Sequence, residues 1–67
     1  MKAILLKYVK KGAYFTIRPI EEPTEKQVYI REDFCRDIKR YECSKYADVC
    51  SCSYWKGDKI VYVDFIF

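Results

Sequence analysis

The sequence predicts an all-β domain on three observations: a chain of 67 residues, an aromatic content of 18%, and a last segment, Lys59 to Phe67, that alternates cleanly. Aromatic and β-branched side chains suit a pleated, half-buried surface better than a helix. A chain this short makes one domain, residues 1–67, and 51% hydrophobic residues with only two Gly and two Pro are far from the composition of a disordered segment. Below about 80 residues a single core rarely supplies more than roughly 3–5 kcal/mol, so a disulfide, a metal or a partner subunit must each be considered.

The elements follow in order. Lys2 to Val9 reads as a strand or a short helical turn; Ile4 and Leu6 are two apart, Leu6 and Val9 three apart, and the period does not decide. Lys10-Lys11-Gly12 is a turn leading into a strand from Ala13 to Arg18, with Phe15 and Ile17 on the core face and Tyr14, Thr16 and Arg18 on the other. Pro19 to Lys26 is a polar connection that two prolines keep out of any central strand. Gln27 to Tyr46 reads as a hairpin with a loop of about five residues at Arg36–Arg40, its first strand carrying Val28 and Ile30 on one face and Tyr29 and Arg31 on the other. Ala47 to Trp55 lacks alternation and is expected to be irregular. Lys56-Gly57-Asp58 is a turn, and the strand after it is apolar on both faces: Val61, Val63, Phe65 and Phe67 against Ile60, Tyr62 and Ile66. Such a strand is expected to be central, or covered by a second copy or a partner. Four or five short strands fit a small SH3-like barrel or a curled antiparallel sheet.

Charge is unevenly placed. Lys2, Lys7, Lys10, Lys11 and Arg18 fall in the first twenty residues with no acid, while the rest of the chain holds eight cations and all ten acids. A basic segment can meet phosphates or an acidic partner, and it can equally guard a sheet edge against unwanted pairing. No run approaches the ~20 apolar residues of a membrane span, and Ala3 to Leu6 is too short for a secretion-signal core, so the expected compartment is the cytoplasm, with reduced thiols.

Four cysteines raise the question of zinc, but Cys35, Cys43, Cys50 and Cys52 lack the C-x2-C spacing that presents two thiolates to one ion. They are read as packed thiols, and neither a metal nor another cofactor is expected. If the hairpin pairs residues whose numbers sum to an odd value, Cys35 and Cys43 face opposite ways; an even sum puts them on one face. The chain has no His, the commonest partner of a Ser or Cys nucleophile. Glu21-Glu22 and Glu32-Asp33 are sequence neighbours, which an extended chain sends to opposite faces, and no Gly-rich phosphate loop is present. Enzymatic activity is not expected.

Basic residues interleave with aromatics: Tyr14 and Arg18, Tyr29 and Arg31, Arg40 and Tyr41, Lys45 and Tyr46, Trp55 and Lys56. Rings can stack on unpaired bases while cations follow the backbone. The same pairs are also ordinary sheet chemistry, in which Lys and Arg stems cover rings. The candidate binding residues are Lys7, Lys10, Lys11, Tyr14, Arg18, Tyr29, Arg31, Trp55, Lys56, Tyr62 and Ile66.

The stretches Gly12-Ala13-Tyr14-Phe15-Thr16-Ile17-Arg18-Pro19, Val28-Tyr29-Ile30-Arg31, Lys56-Gly57-Asp58-Lys59 and Val61 to Phe67 resemble a pattern, GxYFxLKP…VYVR…KGDKxVYxxFxF. It is found in small uncharacterised proteins of gut Bacteroidales bacteria and their phages. The resemblance runs from Gly12 onward and implies a compact protein in a phage or mobile-element setting; it transfers no catalytic residue, and the cysteines fall outside it. The expected function is a non-enzymatic interaction protein, such as a phage-encoded accessory factor or inhibitor, that binds a protein partner or itself. A small β-barrel binding nucleic acid is the alternative; no membrane and no small-molecule substrate is indicated.

Overall fold

The computed structural model describes residues 1–48 and 50–67. Among these residues six strands form two antiparallel sheets: β1 (Lys2–Leu5), β2 (Tyr14–Phe15), β3 (Tyr29–Cys35), β4 (Arg40–Lys45), β5 (Cys52–Trp55) and β6 (Ile60–Val63). Strands β2-β3-β4-β5 lie side by side as a meander, and β1 pairs with β6. One bridge joins the sheets: the Thr16 N–H donates to the Tyr62 carbonyl and the Tyr62 N–H to the Thr16 carbonyl, each at 2.9 Å. The chain is therefore a curled antiparallel assembly and does not close into a barrel. Among the described residues no helix is long and apolar enough to cross a membrane.

The N-terminal segment uses both of its periods in turn. Strand β1 ends at Leu5, and a 3-10 turn over Leu6–Tyr8 then swings Leu6 and Val9 into the core. Gly12 sits at φ +85°, a left-handed conformation that costs Gly least, and so permits the turn into β2. The expected strand from Ala13 to Arg18 is shorter, because after Phe15 the chain leaves β3 and bridges Tyr62 at Thr16. The Pro19–Lys26 connection holds a 3-10 turn at Glu25–Gln27, where the Thr24 N–H donates to Gln27 Oε1 at 2.8 Å.

The hairpin is β3 and β4, with Arg36–Lys39 as its turn and Lys39 at φ +54°. Its register is interrupted. Tyr29, Ile30 and Arg31 face Lys45, Ser44 and Cys43, whereas Phe34 and Cys35 face Tyr41 and Arg40. Glu32 and Asp33 together oppose Glu42, which is a β-bulge. Both parities thus occur, and across the bulge Cys35 and Cys43 point to opposite faces, Cys43 inward and fully buried.

Two expectations are corrected. The stretch Ala47–Trp55 is not irregular throughout, since Cys52–Trp55 forms β5 with Cys52, Ser53, Tyr54 and Trp55 opposite Ser44, Cys43, Glu42 and Tyr41. The final strand ends at Val63 instead of Phe67: Asp64 adopts φ +59°, turning the chain back so that the Ile66 N–H donates to the Glu21 carbonyl at 2.8 Å. Strand β6 is not the central strand expected: it pairs along its length with β1 alone in a two-stranded sheet, meets the larger sheet only at the Thr16–Tyr62 bridge, and leaves Ile60 exposed.

The core lies inside the curl. Leu6, Val9, Phe15, Cys43 and Val61 are buried there, with Ile4, Ile17, Tyr29, Tyr41, Trp55 and Val63 packed against them. Val28 and Thr16 are also fully buried but on the outer side, where the β2–β3 register continued by one step sets them opposite each other. The returning tail and the 18–28 connection lie on this side, so the sheet is apolar on both faces near β2.

Candidate functional site

Two faces gather the candidate residues, an exposed outer one and a half-buried inner one that borders the core, and the described residues form no pocket. The outer face carries an aromatic cluster. Tyr14 and Ile30 pair across β2 and β3, Ser44 lies opposite Ile30 on β4, and Tyr46 follows two residues on, its N–H donating to the Val28 carbonyl at 2.9 Å. The tail brings Phe67 against both tyrosines: ring centroids are 5.8 Å from Tyr14 and 5.0 Å from Tyr46, and Tyr14 and Tyr46 are 5.5 Å apart, all edge-on. Edge-to-face pairs of this kind contribute ~0.5–1.5 kcal/mol each beyond the area they bury. The rings nonetheless stay in water: Tyr14 is 44%, Tyr46 37% and Phe67 51% exposed, and Ile66 beside them is 68% exposed.

The inner face carries cations over rings. Because the bulge inserts one residue, Arg31 and Phe34, three apart, share the inner face, opposite Cys43 and Tyr41 respectively. The Arg31 guanidinium lies 4.4 Å from the Tyr41 ring centroid and Phe34 packs 4.7 Å from it. Cross-strand from Tyr41, Trp55 meets Tyr29 at 5.2 Å and Phe15 at 6.2 Å, and the Lys59 ammonium sits 5.2 Å from the Trp55 centroid. The Lys7 N–H donates to the Gly57 carbonyl at 3.0 Å. This draws Lys7 to the 56–59 turn and beside Tyr41, both side chains closing on the space a Gly57 side chain would need. Cation–ring contacts at such partly exposed sites are worth about 0.5–1 kcal/mol.

Carboxylates of the bulge are directed away from this cluster. Glu32 accepts from Ser44 Oγ at 3.0 Å on the outer face, and Asp33 forms an ion pair with Lys11. That pair raises the Lys11 pKa and lowers that of Asp33, through their mutual hydrogen bond first and their opposite charge second. Glu42 lies on the outer face opposite Tyr54 and holds the phenol pKa up. Burial pushes the Cys43 thiol up to about 12, so it remains protonated and inert.

The candidate residues therefore divide. Lys7, Tyr29, Arg31, Trp55 and Lys56 belong to the inner face and its turn; Tyr14 and Ile66 belong to the outer one. Lys10 begins the turn before β2, Lys11 is engaged with Asp33, and Arg18 offers its carbonyl to Thr16 Oγ1 at 2.7 Å. Tyr62 is half-buried at the bridge, while Ile66, expected on the same strand face, lies on the returned tail. Residues outside the candidate set complete each face: Tyr46 and Phe67 on one, Phe34, Tyr41 and Lys59 on the other. Tyr41 and Tyr46 carried a sequence signal as neighbours of Arg40 and Lys45; Phe67 was read only as part of the last strand, and its place beside the tyrosines depends on the turn at Asp64. Strand β1 is the edge of its sheet among the described residues, and it bears Lys2 with Lys7 just beyond, in keeping with a guarded edge. No protein-family model, curated protein or solved structure matches this chain.

Proposed function

We propose that this chain is a protein-interaction module that docks through Tyr14, Tyr46 and Phe67, with Ile66 at their rim. One observation carries the reading: three rings pack on one another and still stay 37–51% exposed. Contiguous exposed apolar surface of this kind marks partner sites, and tyrosines are over-represented where interfaces concentrate their binding energy. The rings are preassembled edge to face, so a partner would meet an ordered patch and little side-chain entropy would be lost on contact. Together with the resemblance to phage-encoded proteins, this favours a non-catalytic accessory factor or inhibitor acting on a host protein.

The test compares affinity capture from a bacterial host lysate by the parent chain and by the double variant Tyr46→Ser/Phe67→Ser, after circular dichroism has shown the variant to be folded. A protein retained by the parent and lost from the variant supports the reading. Identical capture by both sinks it. Sedimentation of the parent chain alone identifies the case in which the partner is a second copy.

A further inference from the structure

The inner face is a different surface with a different chemistry. Arg31 lies over Tyr41 and Lys59 over Trp55, Lys56 stands in the adjoining turn, and Lys7, whose ammonium rests over the exposed Tyr8 ring, is tied to that turn through the Gly57 carbonyl, while Glu32 turns to the other face and Asp33 is engaged by Lys11. Asp58 stands in the same turn as Lys56 and Lys59, leaving the cluster positive. The Arg31 Nε is buried with no hydrogen-bond partner among the described residues, a donor whose desolvation is unmet.

We infer that this face binds single-stranded nucleic acid, a base stacking on Trp55 and the adjoining phosphates lying among Lys7, Arg31, Lys56 and Lys59. Lys59 covers Trp55 in the free protein, but the exchange is favourable. Base-on-ring stacking outweighs an exposed cation–ring contact, and the displaced ammonium then meets a phosphate a few ångströms away. Rings and cations together point to a single strand. A duplex hides its base faces, and an acidic protein segment would use the cations without the rings.

Trp55 is the one tryptophan of the chain, so its emission reports on this site directly. A short oligothymidylate, its duplex with oligoadenylate, and heparin are each titrated at low ionic strength, and the oligothymidylate is then followed through a salt series. The expected result is quenching of Trp55 by oligothymidylate with a log–log salt slope of about −3, four phosphate contacts at about 0.7 each for a single strand. Lys7→Gln and Lys59→Gln should each make the slope shallower by about 0.7, whereas Lys26→Gln, in the 18–28 connection, should not. Heparin should compete without quenching. Absence of binding at low salt, binding that leaves Trp55 emission unchanged, equal quenching by the duplex, or equal slopes for Lys7→Gln, Lys59→Gln and Lys26→Gln would each overturn the assignment.

Discussion

The bulge in β3 makes two single-residue deletions sharply unequal. Removing Asp33 takes out the extra residue and leaves a regular hairpin: Arg31 still faces Cys43, and Phe34 still faces Tyr41. What is lost is the exposed Lys11–Asp33 pair, which water screens so that little stability goes with it. Removing Ile30 also regularises the hairpin, but it slides Arg31 to the outer face and Glu32 into its place. A carboxylate then stands beside fully buried Cys43 and under the Tyr41 ring. That change forfeits the Arg31–Tyr41 contact, about 0.5–2 kcal/mol, and adds the desolvation of an ill-partnered charged group, about 1–3 kcal/mol or more. The sum approaches the roughly 3–5 kcal/mol that a core of this size provides. In urea or thermal denaturation followed by Trp55 fluorescence, the Asp33 deletion should remain folded with a midpoint within about 8 °C of the parent, while the Ile30 deletion should be largely unfolded at room temperature. Equal stabilities, or loss of folding on deleting Asp33, would refute the face assignment on both sides of the bulge.

Gly57→Ala should destabilise by about 1–2 kcal/mol in the same measurement, because the new Cβ would lie 3.0 Å from both Lys7 Cβ and Tyr41 Cε2, and the Tyr41 ring is held by Arg31 and Phe34. Pulsed alkylation read by peptide mass spectrometry should modify exposed Cys50 first and Cys43 last. A rise of the thiol from 9.0 to about 12 cuts its thiolate about a thousand-fold before access is counted, and denaturant should erase the difference. The Asp33 carboxyl should titrate below 3.8 by NMR, so the support it gives is present above that pH and fades as pH falls through the lower folded value. Lys11→Gln should return it toward 3.8, and an unmoved titration would remove Lys11 as the cause.

Much of the architecture was legible where pattern and geometry are local. Phe15 points inward because its strand alternates, Gly12 turns because it can adopt positive φ, and the hairpin forms around a charged reversal. Legibility failed where the deciding partner is distant. Ser-Cys-Ser-Tyr-Trp has no apolar alternation before Trp55, yet it forms β5 because β4 offers a free edge and only Ser53 and Trp55 need face inward. The alternation of the last nine residues continues past Asp64, but the strand does not; the tail finds Glu21 and the tyrosines instead. The inner cluster depended on a bulge, which shifts the partner of every following residue by one and leaves no mark in single-strand periodicity. Hence Arg31 was named from the sequence while Phe34, brought beside the same ring, was not.

Pairing the first strand with the last has a kinetic side. Strands β3 to β5 can assemble by successive tight hairpins and β2 joins across the longer 16–28 connection, whereas the Lys2–Val63 ladder must close a loop of about sixty residues before it gains anything. Folding should therefore run from the meander outward, with β1 and the apolar Ile4, Leu5 and Leu6 waiting in solvent for β6 to dock. That ordering places the chain among small domains that fold in milliseconds to seconds. During that wait its opening residues are the segment most open to capture by another chain.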